Sequence, residues 1–330
     1  TLTLVSEAYN RVALRYLLGS GTGTWDGNIV LTGPTVYCDT YLASLTSGGT
    51  LVVGGSSDDT ITGSNGYFTV RGGGDVIINS RLDLGAMSIT RNDMGTCTIN
   101  STGNVWRATS IAQGTLRLGV SGALPPVSTL SLGKGSAANA ILDLNGTSQH
   151  VAGLAESGAV GSSQRIISSA PATLIVSNAT ANTFGLNNSA IEGSVSLVKT
   201  GAGTLTLTGT NTTAGAFIVS NGTLVVSGTG TLGLNSTNVA VAAGTLTLQN
   251  SSALSDGAML SIANGGGAKV SLDAGVNEKV GTLYFGDRQK RAATYGAAGS
   301  GAAIIDDVHF SGNGILTVLH GNGGTLVTLH

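Results

Sequence analysis

Residues Leu197 to Val226 read L-V-K-T-G-A-G-T-L-T-L-T-G-T-N-T-T-A-G-A-F-I-V-S-N-G-T-L-V-V. In Thr204 to Thr208 threonine and leucine alternate, so an extended chain carries Leu205 and Leu207 on one face and the threonines on the other. One face is made for burial. Phe217 to Val219 and Thr223 to Val226 continue in β-branched and aliphatic residues. Between them Gly201, Gly203, Gly209, Gly215 and the pair Asn221-Gly222 supply the backbone freedom that corners need. Strand and corner chemistry alternate too quickly for helices.

The tripeptide Gly-Thr-Leu recurs, starting at Gly49, Gly114, Gly203, Gly222, Gly244, Gly281 and Gly324, with Gly314-Ile315-Leu316 as a variant. The steps from Gly203 to Gly222 and from Gly222 to Gly244 are similar in length and match the period of one coil of a solenoid. At roughly 21 residues per coil the chain would make about 15 coils. This spacing predicts an all-β solenoid in which Leu205, Leu224 and Leu246 hold equivalent inward positions.

Leu197 to Val226 resembles the autotransporter-associated β-strand repeat of bacterial surface proteins, whose pattern runs L-x-K-T-G-x-G-T-L-x-L-S-G-x-N-T-Y-x-G-x-T-x-V-x-x-G-T-L. Thr213 stands where the pattern has an aromatic residue. Gly114 to Pro125 and Gly281 to Val318 are similar to other recurring pieces of such proteins. The resemblance implies a right-handed parallel β-helix in a secreted or surface-displayed bacterial protein. It implies no ligand and no reaction.

Composition agrees with a solenoid. Of 330 residues 52 are Gly and only 4 are Pro, too little Pro for collagen, and 41% are hydrophobic, too many for a disordered Gly-rich linker. No apolar run reaches the roughly 18 residues of a membrane-spanning helix, and no series of long amphipathic strands with aromatic girdles suggests an outer-membrane translocator. The net charge of −2, with basic residues dispersed, gives no footprint for nucleic acid or an anionic bilayer. Thr1 opens the chain without a signal-peptide pattern, so any such peptide is expected to have been removed or never included. Cys38 and Cys97 lie about three coils, roughly 14 Å, apart if they share a column, beyond the reach of a disulfide. Two unbridged, buried thiols are expected.

Three segments follow from these patterns. Residues 1–18 hold an alternating strand, Thr1-Leu2-Thr3-Leu4-Val5, and then Ser6 to Leu18. That second piece, with Ser6 as N-cap and Gly19 beyond the end, is either a short capping helix or a degenerate first coil. Residues 19–320 form the β-helix, irregular to about Ser110 and regular after it, with Ala292 to Ala303 as a surface loop. Residues 321–330 form a Gly-rich link and a last strand, Thr325-Leu326-Val327-Thr328-Leu329. No C-terminal capping signal is visible. The first and last strands are therefore the assembly candidates: one leaving a subunit and pairing with the first coil of the next would build a head-to-tail homopolymer.

Candidate chemistry is sparse. Gly54 to Ile61 partly fits a calcium nonapeptide with Asp59 as ligand, but the next nonapeptide has Phe68 where a second Asp belongs. Asp58, Asp59, Asp75 and Asp93, or Asp273, Asp287, Asp306 and Asp307, would be the carboxylates of a sugar-cleaving site, with Trp25 and Trp106 as its tryptophan platforms. His150, His309, His320 and His330 show no zinc spacing. Arg288, Lys290 and Arg291 form a small basic cluster, either an anionic-glycan contact or a solvated turn. No cofactor is expected. The sequence points to a non-enzymatic extracellular or cell-surface structural protein that self-assembles into a filament or matrix. An adhesin-type passenger binding a surface or glycan is the alternative, and a polysaccharide lyase or hydrolase a more distant one.

Overall fold

The computed structural model describes residues 1–5, 11–33, 39–56, 58–63, 66–133, 139–157, 162–186 and 189–322. They fall into two compact units, Thr1–Ser177 with Leu186–Ala190, and Asn178–Gly185 with Ile191–His330. Each is a parallel β-solenoid, and the turns number about 11 in all.

In the first unit the chain visits three sheets in a fixed order. Leu2–Val5, Arg11–Tyr16 and Gly21–Trp25 each open one sheet, and Ile29–Thr32, Asp39–Ser44 and Gly49–Val53 pair with them in parallel in the same order. Thr60–Thr62, Tyr67–Arg71 and Asp75–Ile78 follow, then Arg81–Asp83, Ser88–Arg91 and Thr96–Ile99. Beyond this coil the first sheet shrinks to a single bridge between Asp83 and Val105, while the other two continue to Gly153–Glu156 and Gln164–Val176.

In the second unit one sheet stacks Asn182–Phe184, Thr204–Leu207, Thr223–Val226, Thr245–Leu248, Lys269–Leu272 and Phe310–Ser311. Another runs through Phe217–Val219, Asn238–Val241 and Met259–Ile262 to Thr282–Phe285.

The coil count is lower than the sequence period suggested because the coils are uneven. Thr204 lies opposite Thr223, a short coil, whereas Ile29 lies opposite Ile61, a much longer one. The extra residues sit in corners and leave the strand register untouched.

One open alternative is decided and one expectation corrected. Arg11–Tyr16 is a strand, as a first coil requires and a capping helix does not allow, and residues 6–10 lie outside the described residues. The segment R-V-A-L-R-Y alternates, and its register pairs with Asp39–Ser44 supply backbone partners along its whole length, whereas an isolated helix this short is marginal. Ala292 to Ala303 is not simply a surface loop: Ala293–Gly296 pairs antiparallel with Ile315–Val318, and Tyr295 and Ala297 are buried. The Tyr295 ring meets the edge of Phe285 at 6.2 Å, a contact that an Ala- and Gly-rich stretch does not announce.

The C-terminal end also carries closing strands that the sequence did not signal. Arg288–Gln289 folds back antiparallel on Thr282–Phe285, the last of the parallel strands in its sheet. The amides of Leu319 and His320 donate to the carbonyls of Val280 and Gly281 at 2.9 and 2.7 Å. Residues 323–330, and with them Thr325, Leu326, Val327, Thr328 and Leu329, lie outside the described residues.

The core is built in columns. Leu205 pairs with Leu224 and Leu224 with Leu246, and all three are buried. Cys97 sits between Val76 and Leu116 in the same way, and burial pushes its thiol up to about 12. Its side chain is a small apolar filler at neutral pH. Cys38 lies outside the described residues.

Each buried leucine contributes about 1.5–3 kcal/mol relative to exposure. Replacing Leu224 by Ala opens a cavity between two neighbouring leucines and is expected to cost about 2–5 kcal/mol. Replacing the outward-facing Thr223 by Ala should change stability by no more than about 0.5 kcal/mol. Urea melts followed by circular dichroism check both; equal losses would contradict the inward assignment of Leu224.

Candidate ligand-binding groove

On the outer face of the seven-stranded sheet of the first unit lies a groove of about 610 Å³. Its floor follows from the period of two along a strand. Phe68, Ile89 and Leu130 point inward and are buried, so their neighbours point out. Thr69, Thr90, Ser110 and Ser131 share one register line, and Tyr67, Ser88, Ala108 and Thr129 share another. The result is a row of small hydroxyls with one aromatic ring, Tyr67, 50% exposed at its first coil.

The wall at that first coil is cationic and aromatic. Tyr41 precedes Thr69 on the register line, and both Arg15 and Arg71 lay their guanidinium groups over its ring, 5.1 and 5.8 Å from the centroid. Arg15 also donates to the Tyr41 hydroxyl. Arg71 lies 3.7 Å from Asp93, whose carboxylate in turn accepts the Gly72 amide at 3.0 Å. Arg107 reaches the Ser88 hydroxyl at 3.5 Å. By contrast the hydroxyls of Thr90, Ser110, Thr129 and Ser131 have no protein partner among the described residues. The groove therefore presents donors and acceptors that still need partners, beside one aromatic face.

The residues singled out from sequence do other things. The Asp59 carboxylate accepts the amides of Gly55 and Ser56 at 3.0 and 3.1 Å, closing its own turn, and these bonds hold its pKa below the usual carboxylate value. Phe68 is a core residue. Asp75 accepts the Thr96 amide, Asp273 accepts from the Gln249 side chain, and Asp307 accepts the Ala298 amide. Burial alone would raise Asp306, but the bonds it accepts from His309 and Val308 hold it below its ordinary value. Trp106 is buried, with its indole N–H donating to Thr109, and so offers no platform; Trp25 is half-buried and donates to Gly27.

The basic trio is divided. Lys290 lies over the Phe285 ring at 4.4 Å, while Arg288 and Arg291 are exposed. His309 stacks on Phe285, 3.8 Å between centroids, and its Nδ1 hydrogen donates to Asp306. His150 Nε2 lies 2.8 Å from the Ser177 hydroxyl, a pair that sequence spacing did not reveal. Among the described residues no carboxylate orients that imidazole, as a hydrolytic triad requires. The groove was missed as well, since its hydroxyls line up only once the coil register is known.

Set beside known proteins, residues 197–226 match the model of the passenger-associated-transport-repeat. The autotransporter adhesin BmaC of Brucella suis biovar 1 (strain 1330) is 31% identical over 166 residues, which is 50% of this chain and 5% of that protein. This chain thus spans only a small part of the relative's length. No solved structure matches.

Within the repeat the motif residues close corners. Lys199 is fully buried and stands in a column with Val219. Its ammonium donates to the carbonyls of Gly201 at 2.8 Å and Asn221 at 3.3 Å and to that of Thr200, while burial lowers its pKa to about 8. Asn211, also fully buried, accepts the Ile191 amide at 2.7 Å and donates to the Thr231 carbonyl one coil on. Thr213, in the position of the family's aromatic residue, is buried too. Its hydroxyl accepts the Val195 amide at 3.0 Å and donates to the Val195 carbonyl at 2.7 Å, so hydrogen bonds replace a ring contact there. Gly222 holds φ +67, and a Cβ there would stand 2.4 Å from the Gly201 carbonyl of the preceding coil.

Glu278 does the work of such an amide with a group that can ionise. It is fully buried, accepts the Ala253 amide at 2.8 Å, and burial pushes its carboxyl up to about 7. Because the folded pKa exceeds the unfolded value of 4.5, the fold favours the protonated acid. Stability should fall as pH rises from about 4.5 to 7 and level off above that. Glu278→Gln keeps the acceptor for the Ala253 amide, gives up the longer bond from the Lys279 amide at 3.2 Å, and removes the titration. It should flatten this slope and stabilise the chain by about 2–3 kcal/mol on the alkaline side. Urea melts at a series of pH values measure this, and identical slopes for both chains would contradict it.

Proposed function

We propose that this chain is a non-enzymatic, adhesin-type passenger segment displayed on the bacterial surface. The observation that carries the reading is the passenger-associated-transport-repeat at residues 197–226, set in register within a stacked parallel coil. Its likeness to an autotransporter adhesin supports the same reading. So does the side-chain chemistry: the carboxylates of Asp59, Asp75 and Asp307 accept backbone amides, and the outer groove offers hydroxyls for contact. To test it, the chain is fused to an outer-membrane translocator and displayed on a non-adherent bacterium. Attachment to cultured epithelial cells and to matrix-coated surfaces should rise above that of bacteria displaying the translocator alone. No rise on any surface would overturn the proposal.

Head-to-tail self-assembly is a second reading, favoured by one observation. Among the described residues Leu2–Val5 is hydrogen-bonded on one side only, to Ile29–Thr32, and an edge strand of this kind can accept another chain. The antiparallel closure at Arg288–Gln289 weighs against it. Sedimentation velocity over a concentration series decides: growing rods that shorten when residues 1–5 are deleted support assembly through that edge, and monomers throughout overturn it.

A further inference from the structure

We propose that the groove over Thr69, Thr90, Ser110 and Ser131 is a binding site for an extended, uncharged polysaccharide lying across the strands, along the register line. The proposal deepens the adhesin reading and rests on it for its biological meaning.

Spacing comes first. In-register parallel strands place one hydroxyl per coil, about 4.8 Å apart, which is close to the advance of one pyranose ring in an extended glycan. The part-exposed hydroxyls of Thr90, Ser110 and Ser131 thus meet successive sugars in equivalent ways, beyond the buried Thr69. Chemistry is the second argument. Each Ser or Thr hydroxyl both donates and accepts, as a sugar hydroxyl does, and those of Thr90, Ser110, Thr129 and Ser131 lack protein partners among the described residues. On the adjacent line the half-exposed Tyr67 ring offers a face for the apolar C–H side of a pyranose, with its hydroxyl end left wet. The groove's volume of about 610 Å³ is in the range of sites that enclose a small ligand, here a few sugar residues of a longer chain.

Charge selects among partners. Three arginines border the groove, each already engaged: Arg71 between Tyr41 and Asp93, Arg15 on Tyr41 and Arg107 on the Ser88 hydroxyl; among the described residues the lining contains no carboxylate. A polyanion such as nucleic acid or a uronic-acid polymer would need several uncommitted cations. A protein partner would need a cluster of apolar anchors, and Tyr67 is the single large apolar surface in the lining. An uncharged glycan needs neither.

The test is affinity electrophoresis of the purified full chain in native gels cast with dextran, mannan or laminarin as neutral probes and polygalacturonate as an acidic one. At least one neutral polysaccharide should retard the chain, with little dependence on salt. Tyr67→Ala and the groove-filling Ser110→Gln should each weaken retardation roughly tenfold while leaving circular dichroism unchanged. If Ser110→Gln fails to fold, Thr90→Val removes a hydroxyl with almost no change of shape and should weaken retardation in its place. Three results would overturn the proposal: no retardation by any neutral probe, salt-sensitive retardation by polygalacturonate alone, or retardation that the folded variants leave unchanged. The two readings fail separately. Displayed bacteria that attach although no gel retards the chain would overturn the groove and keep the adhesin, and retardation without attachment would do the reverse.

Discussion

Everything in these coils depends on in-register parallel pairing. Because Leu205, Leu224 and Leu246 stand directly opposite one another, a side chain that points inward in one coil does so in the next, and the core becomes a set of columns. The same register that buries leucine in one column lines up hydroxyls on the outside in another. Thr69, Thr90, Ser110 and Ser131 form an ordered face for the same reason that Phe68, Ile89 and Leu130 are buried.

The inward positions that are not apolar show where that rule meets its limit. A corner leaves backbone groups without strand partners, and a buried group of that kind is costly unless something bonds it. The recurring answer is a buried amide reaching across one coil. Asn104 accepts the Leu82 amide at 2.8 Å, Gln149 that of Leu124 at 3.0 Å, Gln164 that of Ala140 at 2.9 Å, and Asn211 that of Ile191. The same amides donate to corner carbonyls, and buried cations meet others. Arg91 stands in a column between Val70 and Ile111 and donates to the carbonyls of Val70 and Gly72, much as Lys199 donates to Gly201 and Asn221. Polar columns and apolar columns are thus two solutions to one packing problem.

This division explains what was legible in the sequence. The alternation in Thr204–Leu207 and Thr223–Val226 is a local property, so the strands, their inward faces and the coil family could be read directly. The region before Ser110 was harder to read, because its coils vary in length. The segment R-V-A-L-R-Y was read as part of a possible helix because its partner strand lies a coil away in sequence. Tyr295 was lost in an alanine-rich stretch because its burial depends on Phe285 and Phe310, which arrive from other coils. The groove was invisible for the same reason: no single strand contains it, and the uneven corners hide the register that assembles it.

Those uneven corners carry a consequence for how such a gene can change. The short step from Thr204 to Thr223 and the long one from Ile29 to Ile61 both end in direct register, so lengthening or shortening a corner is structurally silent. Duplicating or deleting a whole coil also leaves the flanking columns continuous, provided that its inward polar residues still meet their corners. One residue added inside a strand is different in kind. It would turn every later side chain of that strand inside out and place threonines where leucines must lie. The chain therefore has its own grammar: length is free at the punctuation, where Gly222 and the buried polar residues stay fixed, and duplication is free at the sentence. Inside the word, the parity of each residue is fixed.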